Sequence, residues 1–176
     1  TFGFSPGEVI IFAVAANLVA GVATIGFGFL DDRIGPKRVI VGSLVSMLIF
    51  GAGVFFFHDG GAKAFWVFGL LLCIFVGPAQ SASRTFLARL IPAGREGEVF
   101  GLYATTGRAV SFMAPMLWSV FISIGAALTQ ASKRSEAEYF GILGIMVVLL
   151  VGLVLLLPVR DVARGAGDRQ PAPPSP

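Results

Sequence analysis

Five apolar runs, each about as long as a bilayer is thick, constrain this chain more than any other feature. They lie near residues 9–30, 39–57, 64–83, 99–124 and 139–157. The first is 22 residues long, about 33 Å as a helix at 1.5 Å per residue. In hydrocarbon a backbone must satisfy its own hydrogen bonds, which leaves helices and closed barrels as spanning structures. Runs of this length have the helical size. The expected fold is therefore all-α, a polytopic membrane helix bundle of about five transmembrane helices, occupying residues 1–158. The stretch 159–176 ends Pro-Ala-Pro-Pro-Ser-Pro; it cannot build a core and is expected to be a disordered tail.

Charge is scarce and concentrated between the runs. Only 13% of residues are charged, yet Gly28-Phe-Leu-Asp-Asp-Arg-Ile-Gly-Pro-Lys-Arg38 carries two acids and three bases. Lys and Arg divide unevenly by side. Nine fall in this loop, in the Arg84–Arg95 connector and in the tail; Lys63, Lys133 and Arg134 fall opposite; Arg108 lies within a span. The side rich in bases is expected to be cytoplasmic, so the C-terminus is inside and Thr1 outside. A chain that starts outside, without Met or a targeting signal, is expected to lack at least one upstream helix. The basic pI of about 9.5 is then a topology signal, not a nucleic-acid footprint. Cys73 stands alone in an apolar run, which excludes a disulfide framework. The chain holds one His and no Gly-rich phosphate loop or HExxH. Asp31-Asp32 also lacks the second acidic cluster that a magnesium-dependent membrane transferase needs. No metal, cofactor or enzyme chemistry is expected.

The spacing Gly28-x-Leu30-x-Asp32-Arg33-x-Gly35-x-Lys37 resembles the loop signature of the major facilitator superfamily. Asp31 departs from it where a small residue is common, and Pro36 where a base is common. A second set narrows the resemblance: Gly77-Pro-Ala-Gln-Ser-Ala-Ser-Arg84, Ala88-Arg-Leu-Ile-Pro92, Glu98-Val-Phe-Gly-Leu-Tyr103 and Gly107-Arg108. These are similar to the vacuole-effluxer-like branch, whose fungal member is implicated in releasing amino acids from the vacuole. The resemblance implies helices eight to twelve of a twelve-helix transporter, with the N-terminal half of the same transporter as the absent partner. It implies a multi-pass protein of the cell (inner) membrane that moves a small polar solute. It also implies a cytoplasmic gating loop of Gly28, Asp32, Arg33, Gly35, Lys37, Arg38 and Arg84, in which Asp32 pairs with a helix N-terminus or a base. The plainer possibility is that Asp31 and Asp32 cap the next helix while the bases bind lipid phosphates.

Candidate cavity residues follow from polarity inside the spans. Arg108 lies about 12 Å along the fourth helix if that helix enters the membrane near Phe100. A charge at such depth generally faces protein or a water-filled cavity. Gly101, Thr105, Arg108, Phe112, Pro115 and Ser119 share one stripe at helical spacing. Arg108 could meet an anionic substrate group, or it could form a structural ion pair. Gln80 and Ser83 could bond a polar solute or another helix; Asn17 is a further candidate. The competing function is a non-transporting membrane scaffold or partner subunit.

Overall fold

The computed structural model describes residues 5–57, 60–92, 94–130 and 134–159, without the side chains of Ala62 and residues 134–136. His58, Asp59 and the tail from residue 160 lie outside the described residues. Six α-helices follow in order: α1 (Pro6–Ile34), α2 (Pro36–Phe56), α3 (Gly61–Leu90), α4 (Glu96–Val110), α5 (Met113–Thr129) and α6 (Gly141–Leu156). A 3-10 helix, Arg134–Phe140, leads into α6. No strand occurs among the described residues. Five helical stretches are long and apolar enough to cross a membrane: α1, α2, Lys63–Leu90, Glu96–Thr129 and Ala137–Leu156.

Local sequence explains the ends of these elements. Ser5 caps α1 in a reciprocal box: the Glu8 amide donates to Ser5 Oγ, and the Ser5 amide donates to Glu8 Oε2 at 2.8 Å. At its other end α1 turns into α2 through a single residue, Gly35, at φ 90°. A side chain is strained there, so glycine suits the corner. Pro36 starts α2, where a missing N–H costs nothing, and is fully buried. The fourth span is two helices, broken at Ser111 and Phe112. Pro115 is the cause: it cannot donate to the carbonyl of Ser111, and its ring crowds that carbonyl. The Ser111 amide and hydroxyl both bond the Arg108 carbonyl instead, at 3.3 and 2.7 Å.

The helices pack in the lateral order α1, α3, α2, α6, α5. A small buried cluster of Val39, Ile40, Ala82 and Phe86 joins α2 to α3 at the loop end, with Phe27, Ile34 and Leu156 packed on it. At the opposite end rings carry the contact: Phe55 meets Tyr139 and Phe140, and Phe12 meets Phe65 and Trp66. Small residues set the closest approaches, as expected where lipid offers no hydrophobic drive between helices. A Cβ on Gly77 would strike the Thr24 hydroxyl and come 2.7 Å from the Ala20 carbonyl oxygen. One on Gly144 would come 2.7 Å from the Leu117 backbone. Elsewhere large apolar side chains face outward along α1, with Ile10, Leu18, Val22 and Phe29 all exposed.

Gly77→Val should force α1 from α3 and destabilise the chain by about 1–3 kcal/mol. Gly21→Ala, whose Cβ meets nothing within 4 Å, should stay within about 0.5 kcal/mol. Thermal unfolding of both variants in one detergent checks the difference.

Candidate functional site

The loop end gathers the C-termini of α1, α3 and α6 with the N-terminus of α2. Gly35 reverses the chain so sharply that the residues on either side of it face different neighbours. Asp31, one turn before the corner, points inward and is 9% exposed. It lies among Thr24, Gly28, Val39, Pro78, Ser81 and Ala82, beside a void of about 10 Å³. Its Oδ1 is buried without a hydrogen-bond partner. Asp32 and Arg33 are exposed, as are Arg38 and Arg84. Gly28 is exposed and has open space above its Cα.

Lys37, on the far side of the corner, reaches the last turn of α6. Its ammonium donates to the carbonyl oxygens of Leu157, at 2.9 Å, and Val159. Those carbonyls are among the acceptors a helix C-terminus leaves without partners, and a cation there also meets the negative end of the helix dipole. The loop thus meets two other helices: Asp31 packs against α3, and Lys37 bonds the end of α6.

The cavity candidates are more scattered. Asn17 donates to the Ala13 carbonyl at 2.8 Å on the exposed side of α1. Gln80 is exposed on α3, and its carbonyl accepts from Ser83 Oγ. Ser83 Oγ also lies 3.0 Å from Tyr103 Oη, which ties α3 to α4. No other element packs extensively on α4 among the described residues, and all its residues from Gly101 onward are exposed. Arg108 is one of these, and so is Thr105, whose hydroxyl bonds the Gly101 carbonyl at 2.8 Å. Thr105 and Arg108 lie about 200° and 140° round the helix from Tyr103. They therefore point away from the α3 contact, and the structure does not join them to Gln80 and Ser83. A groove of about 720 Å³ beside α1 is lined by Leu18, Val22, Leu30 and Ile74. Its walls offer a polar solute no hydrogen bond.

The vacuole effluxer Atg22 like family model matches residues 1–170. The chain belongs to this family. An uncharacterized MFS-type transporter, YxiO, from Bacillus subtilis (strain 168) is 26% identical over 159 residues, covering 90% of this chain and 34% of that protein. Autophagy-related protein 22 from Coccidioides immitis (strain RS) is 31% identical over 103 residues, covering 58% of this chain and 15% of that protein. The chain thus spans about a third or less of the length of these relatives. No solved structure matches it significantly.

Membership agrees with the five membrane-length helical stretches, and the bacterial relative is described as a transporter of the MFS type. The signature loop is here a helix–helix corner from which Asp31 turns inward and Lys37 reaches α6. Sequence reasoning had assigned Asp31 to capping, although a signal was present: Thr24, Gly28 and Asp31 sit at i, i+4 and i+7 on one face of α1. The Lys37 bond to residues 120 and 122 positions away left no local trace.

Lys37→Met should release the end of α6. Amide hydrogen exchange at residues 154–157 should quicken severalfold, while the middle of α3 keeps its protection; mass spectrometry of peptic fragments reads both.

Proposed function

We propose that this chain forms part of a secondary active transporter that moves a small polar solute, with amino acids the leading class, by alternating access. Membership in the vacuole effluxer Atg22 like family supports transport. The observation that carries the reading is Arg108, an exposed guanidinium within a membrane-length helical stretch. An ion so placed is expensive against lipid and finds its place facing protein or water. The exposed side of α4 would then line a central cavity, closed on its far side by the rest of the transporter, with substrate near the midplane.

In this reading Arg108 meets an anionic group of the solute, such as a carboxylate, in the paired geometry guanidinium favours. Thr105, one turn before Arg108, is the accessory polar group; Gln80, Ser83 and Asn17 lie on other faces and would meet the solute only elsewhere along its path. Ser83 and Tyr103 hold α4 near α3 at the loop end, while the break at Ser111 and Phe112 gives the fourth span a place to bend. The loop of Gly28, Asp32, Arg33, Gly35, Lys37, Arg38 and Arg84 latches the cytoplasmic side. There Asp32, already exposed, is free to pair with a helix N-terminus of the other half. The excess of bases at the loop end supports a cytoplasmic placement and a cytoplasmic C-terminus.

Arg108→Ala, assayed with the rest of the transporter in proteoliposomes, should lower transport roughly tenfold or more, the loss expected when a charge-assisted contact disappears. Membrane expression should be unchanged. Normal transport would remove Arg108 from the path. Asp32→Asn should shift the labelling of single-cysteine reporters at the two membrane faces in opposite directions. Equal labelling in the variant and its parent would count against the latch.

A further inference from the structure

Asp31 is the one acid buried among the described residues, and the transport reading gives it no task. Its surroundings are poor in donors. The Thr24 hydroxyl, on the same wall, donates to the Ala20 carbonyl at 2.7 Å. Pro78 has no N–H to offer. The Thr85 hydroxyl reaches towards the carboxyl but also to the Ser81 carbonyl at 3.3 Å. Arg89 of α3 contributes a favourable charge and Asp32 an unfavourable one. From α2 the lining side chain is Val39, which is uncharged. Oδ1 faces no donor at all.

An ionised carboxylate oxygen without a protein donor is costly, because no protein group replaces its lost hydration. Three kinds of occupant could relieve it: a metal ion, a water or a proton. A metal ion would require several oxygen ligands, whereas the wall supplies oxygen-bearing side chains only from Asp31, Thr24 and Ser81. The void of about 10 Å³ is about one water-probe sphere and has no room for a hydrated cation; a single water there would leave the acid ionised, the outcome that a missing carboxyl band at pH 7 reports. A proton needs no space and removes the charge. We propose that the Asp31 carboxyl is a proton-binding site, loaded while α1, α2 and α3 are closed around it and emptied when they part.

The closure is tight where α2 and the middle of α3 meet the acid. Val39 and Ala82 are almost fully buried, Pro78 is fully buried, and Gly77 lets α1 lie directly on α3. Separation of these helices would admit water, and hydration restores the ionised form. Protonation therefore favours the closed arrangement of this end and ionisation the open one. This goes beyond the transport reading and does not depend on it.

The test is infrared spectroscopy of the purified chain in lipid nanodiscs between pH 5 and 9. A protonated carboxyl stretch equal to one group should persist at pH 7. It should vanish in Asp31→Asn and remain in Asp32→Asn, with helical circular dichroism verifying the fold. Absence of the band in the parent at pH 7, or its survival in Asp31→Asn, would overturn the proposal. Should Asp31→Asn not fold, Asp32→Asn decides: a retained band supports the buried acid, and a lost one refutes it.

Discussion

In hydrocarbon a backbone amide has nowhere to turn except to its own helix, and the rest of this structure follows from that constraint. Long apolar helices satisfy it and leave side chains to settle how they pack. Because lipid is as apolar as leucine, packing comes from close fit more than from hiding carbon. The fit is visible at Gly77 against Ala20 and Thr24, and at Gly144 against Leu117. Both are places where a missing side chain lets two backbones touch.

Polar chemistry is confined to where the helical rule is interrupted. Gly35 and Pro36 end one helix and begin the next within a residue. That corner sets Asp31 inward and carries Lys37 to the exposed carbonyls of α6. Pro115 breaks the fourth span just beyond Arg108, and the Arg108 carbonyl receives the displaced bonds of Ser111. Proline and glycine thus decide where charge can sit, since each frees or redirects backbone groups that an apolar run would conceal.

The two ionic features differ in kind. Arg108 lies on a helix with little cover of its own, so its partner must be solvent, solute or other protein. Asp31 lies inside the packed helices, where α1, α2 and α3 already enclose it. The first suits contact with something that comes and goes. The second responds to whether its own helices stay together.

Much of this was legible in sequence. Hydropathy alone specified an all-α bundle with five spans, because bilayer thickness and helical rise leave little choice of length. The Gly35-Pro36 pair was readable as an interruption, since its backbone chemistry is local, whereas the break at Ser111 and Phe112 divides the single stripe expected from Gly101 to Ser119. Burial of the acids was not legible. Asp31 and Asp32 are adjacent and identical in type, and a helix turns about 100° between them, so only the packing of α2 and α3 decides which one faces inward. The reach of Lys37 to Leu157 and Val159 was equally hidden, because it joins residues more than a hundred positions apart. Sequence determined the elements and their breaks, which depend on neighbouring residues. Tertiary structure alone decided which polar groups were dehydrated, because that depends on what the other helices bring alongside.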